Sequence, residues 1–450
     1  MIRLRDIEQL DQIPVIDSET DQVASLREFN QRTKNRIFVE TLDANVLLHQ
    51  KFKTSSSVAS EQVKKGSISQ NKKAKFGRTF VSASYLPRYA ESLLQLRFGR
   101  LPRRVKHRQI SSNTYNHQNR VKICKTSGSL AANAELIISL LPKYMPLVYI
   151  EGFKSQFHSE KPWKSNRFPG VIFTANRHLY DDVFNFWTAL ATEHGSRLVL
   201  AQHGGSYGIS EFPSFSERHE NLIADRYVTW GWESFGPTYK GFVLPLVRRT
   251  LHSPNRNGSL LVITDQLWKY PRSIFSDTPE SSTYLDHLKS TVDGLLPKVR
   301  SKVLLRIHHA HEDAGSSQID WWKLNSPDIT QDIGEVEFQK RLTKSRLVLI
   351  AHNGTSIPEA IALHAPTIIT WSDSYMKVRQ SAEAVFESLE KVGMFHRTPE
   401  LAASFINSIW DDVDGWWNSQ PTLDARKQFT DQFARSVPNP IRFMAKALQF

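Results

Sequence analysis

Residues 345–371 read SRLVLIAHNGTSIPEAIALHAPTIITW. An apolar run from Leu347 to Ile350 predicts a buried strand, and Thr367–Trp371 predicts a second. Between them, His352-Asn353-Gly354-Thr355-Ser356 turns the chain into a helix opened by Ile357 and Pro358. Proline is tolerated in that first turn because its missing N–H has no intrahelical acceptor there. Thr355 or Ser356 is a natural N-cap. Strand, helix, strand is a βαβ unit and therefore a parallel sheet. The free N–H groups and positive dipole end at the helix start suit a monophosphate or diphosphate. Glu359, in the same turn, either supports the helix electrostatically or accepts hydrogen bonds from ribose hydroxyls. Capping alone is the competing account of this composition.

The same alternation extends in both directions. Upstream, SLLVITDQ (259–266) and KVLLRIHH (302–309) read as strands, with helices around 282–298, 335–344, 356–364 and 380–392. A stretch with the look of a linker, LHSPNRNGS (251–259), separates them from an earlier set of strand-like runs: LVYIEGF, GVIFTAN, SRLVLAQHGG and RYVTWGW. Val183, Phe186, Trp187 and Leu190 have helical spacing and stop at Gly195, which makes another βαβ unit. Two successive segments of this kind predict an α/β fold of two Rossmann-like domains facing a central cleft. The expected division is an N-terminal domain at 1–250 and a C-terminal domain at 259–420. Helices at 421–450 are expected to pack back across the cleft.

The chain has 450 residues, 58 Lys and Arg, and 45 Asp and Glu. Between Lys51 and Leu130 there are 18 basic residues and 2 acidic ones, Glu61 and Glu91, so this segment holds the whole excess of +13. Residues 51–78, rich in Ser and Lys, predict a mobile basic loop. Tyr89, Leu93, Leu96 and Phe98 follow with the spacing of a short amphipathic helix closed by Gly99 and Pro102. The charge is compatible with a solvated loop, an anionic membrane surface or nucleic acid. Nucleic acid is disfavoured by the scarcity of interleaved aromatics and the lack of zinc-finger, RNP or KH signatures. One cysteine, Cys124, excludes an internal disulfide framework. No signal-peptide core or roughly 20-residue apolar span is present, so a cytoplasmic chain is expected, peripheral on the inner face of the inner membrane.

Two further stretches carry chemistry. In AQHGGSYG (201–208), Gln202, Gly204 and Gly205 surround His203 at the end of an apolar strand. Adjacent glycines let backbone N–H groups approach a ligand closely. His203 stands where open α/β sheets place ligand contacts, as a general base or a hydrogen-bond donor to phosphate. A glycine turn with a structural histidine is the plainer account. In LLRIHHAHEDAG (304–315), Arg306 and His308 end a strand on the same rim and suit phosphate or base-proximal contacts. His309 and His311 lack a third ligand at metal spacing. No GxSxG, P-loop, HExxH or EF-hand pattern occurs, nor a DxD-like pair at a strand end. Asp181 and Asp182 fall at a helix start, where acids are favoured. The expectation is transfer without metal or cofactor, with leaving-group charge held by the helix dipole and cations.

SRLVLIAHNGTSIPEAIALHAPTIITW resembles the donor-binding half of GT-B glycosyltransferases. Together with YLPRYAESLLQLRFGRLPRR and LAQHGGSYG it is similar to the LIC-type surface-carbohydrate transferases of bacterial O-antigen and capsule loci. The QHG feature is similar to that of the Kdo-transferring capsule enzymes. The resemblance implies a glycosyltransferase moving a sugar from a nucleotide-sugar donor, a CMP-activated sugar being one candidate, to a surface polysaccharide or lipid-linked glycan. It implies that Asn353, Gly354, Thr355, Ser356 and Glu359 hold donor phosphate and ribose. Arg306 and His308 would line the same pocket, and His203 would face the reaction centre. A polyol-phosphate transferase and a non-catalytic sugar-nucleotide or polysaccharide-binding protein are the alternatives.

Overall fold

The computed structural model describes residues 79–101, 114–124, 147–152, 168–211, 215–233, 238–240, 255–267, 281–308, 318–437 and 439–450, with Lys143 and Met145. The expected basic loop at 51–78, Pro102, the linker at 251–254, and His309 and His311 lie outside the described residues. Two compact units emerge: residues 1–201 with His219–Tyr227 and Leu448–Phe450, and Gln202–Arg218 with Val228–Ala447. The glycine loop therefore belongs to the second unit, although the order of the chain suggests the first.

The first unit holds β1 (Thr79–Val81), α1 (Arg88–Arg97), α2 (His117–Cys124), β2 (Val171–Thr174), α3 (Asp182–Glu193) and β3 (Arg197–Ala201). The chain then runs through α4 (Phe215–Ile223), β4 (Arg226–Thr229) and β5 (Thr238–Lys240). The strand order is β1-β2-β3-β4-β5, and β1, β2 and β3 pair in parallel, with Thr79 opposite Val171 and Val171 opposite Arg197. All four residues of β2 are buried, as expected of a strand covered on both faces. Asp181 caps α3, its carboxylate accepting from the Phe184 N–H at 3.0 Å. The run LVYIEGF is no strand. Leu147–Tyr149 forms a 3₁₀ turn closed by the Gly152 N–H on the Leu147 carbonyl. Arg120 pins it by an ion pair to Glu151 at 2.6 Å and a hydrogen bond to the Met145 carbonyl. A short apolar run buries itself equally well as a turn, and periodicity alone does not separate the two.

The second unit contains β6 (Ser259–Ile263), α5 (Ser281–Asp293), α6 (Pro297–Arg300), β7 (Val303–Arg306), α7 (Gln318–Asn325), β8 (Thr330–Asp332) and α8 (Phe338–Leu342). It continues with β9 (Ser345–Ile350), α9 (Ser356–Ala362), β10 (Thr367–Thr370), α10 (Gln380–Lys391) and β11 (Phe395–His396). Helices α11 (Pro399–Ile409), α12 (Val413–Trp417), α13 (Gln420–Phe433) and α14 (Pro440–Ala447) complete it. The expected helix at 282–298 is divided in two, because Pro297 opens α6 after the break at Gly294–Leu296. The two-residue β11 and three-residue β8 are too short to show a period.

The six strands are ordered β11-β10-β9-β6-β7-β8, with every pair parallel. Numbered within the unit, this is the order 6-5-4-1-2-3. The chain moves outward through β7 and β8, then crosses back to lay β9 beside β6. The reversal creates a topological switch point between β6 and β9, the position where open sheets of this kind receive ligands. The core beneath it comprises Leu260, Val262, Leu305, Leu347, Leu349, Ile368 and Trp322, all fully buried. Both sheets are thus parallel and α/β, as the sequence predicts.

Candidate active site

The carboxyl ends of β6 and β9 deliver Thr264-Asp265 and His352-Asn353 to the switch point. Thr264 is 1% exposed, and its hydroxyl has no hydrogen-bond partner among the described residues. Asn353 donates through Nδ2 to Ser210 Oγ at 2.9 Å, while its buried Oδ1 is also without a partner. Buried polar atoms are nearly always paired, so two orphans at the ends of adjacent strands single this edge out as a candidate ligand site.

The expected capping role of Thr355 and Ser356 is not what the hydroxyls do. Thr355 occupies the cap position of α9 with helical backbone angles and makes no side-chain cap bond. Its Oγ1 instead accepts from the Gly205 N–H at 3.1 Å, and Ser356 Oγ pairs with His352 Nε2 at 3.1 Å. The Thr355 hydroxyl is drawn to a long-range partner as acceptor, which leaves its proton for another acceptor. Burial lowers the pKa of His352, so this ring is neutral at pH 7.

The two glycine-bearing segments that the sequence singles out, 150 positions apart, therefore touch. A Cβ added to Gly205 would lie 2.4 Å from the Gly354 carbonyl oxygen and 2.6 Å from Thr355 Cα. At Gly204 the nearest atom would be a Tyr207 ring carbon at 3.7 Å, an ordinary contact. Only the second glycine is required for close approach.

Several groups hold the glycine loop in place. The Gln202 side chain is buried, accepts from Trp230 N and Trp232 Nε1 at 2.9 and 2.7 Å, and donates to the Gly204 carbonyl at 2.7 Å. With its amide engaged in this way, Gln202 braces the loop. Ser210 bridges Val378 in antiparallel fashion. Arg379 donates to the Ser210 carbonyl through Nε and to Glu217 through Nη2 at 2.8 Å. Glu217 also accepts from the Gly208 N–H. His203 is half-buried, and its Nε2 lies 2.9 Å from the Tyr207 hydroxyl, the two rings meeting edge to face. Tyr207, Ser210, Glu217 and Arg379 were not singled out in the sequence. Only the spacing of Tyr207, four residues after His203, hints at their role.

Glu359 lies in the first turn of α9. Burial pushes its carboxyl up to about 7. Arg306 has its guanidinium taken up by Asp332 at 2.7 Å and by the Val336 carbonyl, with Arg341 on the same carboxylate. Burial acts to raise the Asp332 pKa, but the Gly334 N–H and the two arginines outweigh it and hold the carboxyl below its ordinary value. Arg306 is thus an ion-paired strand end. His308 follows it, half-buried, on the same rim.

This architecture is an α/β protein with a polar site at the switch point of its second sheet. The model of the LIC12162 family transferases matches residues 22–448, and the chain belongs to that family. It is the family that the three sequence patches resemble. No curated protein matches the chain. Similar solved structures include Acinetobacter baumannii MurG at 12% identity and TM-score 0.37, covering 66% of this chain and 77% of that one. A variant of the wall teichoic acid polymerase TagF is similar at 11% identity and TM-score 0.36, covering 66% and 84%. A co-structure of S. aureus MnaA with UDP is similar at 12% identity and TM-score 0.37, covering 68% and 83%.

Proposed function

We infer that this transferase moves a sugar from a nucleotide-sugar donor to a hydroxyl of a surface polysaccharide or lipid-linked glycan. The observation that carries the reading is the junction of the His203–Gly205 loop with Asn353–Ser356, at an edge where Thr264 Oγ1 and Asn353 Oδ1 are buried without a hydrogen-bond partner among the described residues. The donor phosphate sits over this junction. Thr355 donates its hydroxyl proton to it, while Thr264 and Asn353 supply the remaining polar contacts. Glu359 accepts from ribose hydroxyls, and Gly354 lets the phosphate approach the backbone. Arg306 supports the rim through Asp332, and His308 lies beside the base.

In the transfer step the acceptor oxygen bonds to the anomeric carbon as the bond from that carbon to the phosphate oxygen breaks. The electron pair leaves with the nucleotide, and the acceptor proton passes to a base. His203 is that base, held by Tyr207; in the second arrangement open to it, the same ring donates to the leaving phosphate. The chain's own groups supply this chemistry, and the reading assigns no step to a metal or cofactor.

Nucleotide-induced stabilisation tests the site, since a ligand bound only by the folded state raises Tm. One of CMP, UDP or GDP is expected to raise Tm, and the matching donor to release free nucleotide. His203→Ala is expected to lower turnover by about 10²-fold or more with Tm unchanged, the usual worth of a positioned acid or base. Near-normal turnover would remove His203 from the mechanism. A product that retains the donor phosphate would replace sugar transfer by polyol-phosphate transfer. Nucleotide binding without turnover on any acceptor would leave a binding protein.

A further inference from the structure

The helix α1 buries a different face from the one its sequence suggests. Ala90, Leu94 and Gln95 are buried, with Gln95 Nε2 bonded to the Val81 carbonyl of β1. The larger apolar side chains face out: Tyr89 is 53% exposed, Leu93 46%, Leu96 50%, and Leu101 just beyond the helix 85%. At 100° per residue, Tyr89, Leu93 and Leu96 fall within about 60° of one another. Arg88 and Arg97, both exposed, flank this stripe on either side. Ala90 lets the helix sit close to the sheet, with Leu94 and Gln95 packed beneath it, and Tyr89, Leu93 and Leu96 stay outside the core. No helix among the described residues is long and apolar enough to cross a membrane.

We propose that this face of α1 is a docking surface for an anionic lipid bilayer, lying in the plane of the interface. Tyr89, Leu93, Leu96 and Leu101 enter the headgroup–acyl boundary, and Arg88 and Arg97 meet lipid phosphates. The occupant follows from charge complementarity. The stripe lies inside the Lys51–Leu130 segment, where 18 basic residues face only 2 acidic ones. An apolar strip edged by cations within such a field matches an acidic membrane surface. One of the two acids, Glu91, is engaged by the Ser84 N–H and hydroxyl. The inference does not depend on the donor-site reading.

Co-sedimentation of the full chain with vesicles tests it. Phosphatidylglycerol vesicles are expected to retain the protein at low salt and release it as salt rises, whereas phosphatidylcholine vesicles retain little. The double variant Leu93→Ser/Leu96→Ser keeps the charge and removes the apolar stripe. It is expected to bind phosphatidylglycerol vesicles at least about tenfold more weakly, given roughly 25 cal/mol for each Å² of apolar surface lost from contact. Should that variant lose Tm, the surface pair Arg88→Gln/Arg97→Gln carries the test, with weaker binding and a shallower salt dependence expected. Unchanged binding by the serine variant at unchanged Tm would overturn the proposal, because the basic segment would then act alone. Equal retention by neutral vesicles would overturn it too. So would a wild-type dimer that the serine variant dissolves with no change in vesicle binding.

Discussion

The two parallel sheets end in edges of the same type with opposite polar economies. At the carboxyl edge of the first sheet the charged side chains pair largely with one another. Arg177 donates to Asp181 and to Ser82 Oγ, and Glu91 accepts twice from Ser84. Glu220, fully buried, accepts from the Tyr227 hydroxyl at 2.7 Å and lies 3.0 Å from His178 Nε2. At the edge of the second sheet, Thr264 Oγ1 and Asn353 Oδ1 are buried without partners, and Glu359 is held near neutral pH by desolvation. Charges paired in this way are committed to stability. An unsaturated edge holds groups in a costly state that a ligand relieves. The contrast supports the reading proposed above, in which the chemistry lies in the second unit.

The largest test of this contrast falls on the edge of the first sheet. Asp181→Ala leaves the buried Arg177 guanidinium without its carboxylate, and a loss of about 3–5 kcal/mol in unfolding free energy is expected. Denaturant titration measures it, and the nucleotide-induced rise in Tm should persist wherever the variant still folds. A rise abolished by Asp181→Ala would break the distinction between the edges. Gly205→Ala comes next, because its methyl group collides with backbone that has little room to move. A cost of about 1–3 kcal/mol is expected, together with loss of the nucleotide response. Gly204→Ala should be close to wild type, and equal effects at the two glycines would contradict the contact between the loops.

Glu359 sharpens the comparison through pH. Its pKa is raised from 4.5 to about 7 in the folded state, so between those values the folded chain holds a proton that the unfolded chain has released. Stability therefore declines as pH rises from about 4.5 to about 7 and levels off above, and the contribution is fully present only below that window. Glu359→Gln should flatten this decline in Tm and weaken the nucleotide response. The smallest effect is expected at Thr264. Thr264→Val removes a buried hydroxyl that bonds to nothing, so stability should stay within about 0.5 kcal/mol of wild type or rise. The nucleotide response should fall all the same. A marked loss of stability would mean that the hydroxyl has a partner within the fold.

Much of this arrangement is legible in the residue order because it is local. Apolar runs of four to six residues bounded by Gly, Asn and Pro announce β2, β3, β6, β9 and β10. Asp181 announces the start of α3, and His203 and Asn353–Ser356 stand out as polar residues at strand ends. The failures share a cause: each depends on a partner distant in the chain. LVYIEGF looks like a strand until Arg120 fastens it as a turn. Thr355 looks like a cap until the Gly205 N–H claims its hydroxyl. Arg306 stands at a strand end, and only the fold shows that Asp332 pairs with its guanidinium. Which face of α1 is buried is likewise set by the sheet, which takes Ala90, Leu94 and Gln95 and leaves Tyr89, Leu93 and Leu96 exposed.

By itself the sequence determines an alternation of strands and helices, the parallel sense of the sheets, and the handful of polar residues at strand ends. These follow from hydrogen bonds and side-chain periods that close within a few residues. Tertiary structure alone decides which of those residues meet. It sets Gly205 against Gly354, brings Thr264 and Asn353 to the ends of the adjacent strands β6 and β9, and assigns the glycine loop to the second unit. The contact between Gly205 and Thr355 closes a loop of 150 residues, a cost nearly independent of local sequence. Packing and polar satisfaction across the fold choose among such pairings.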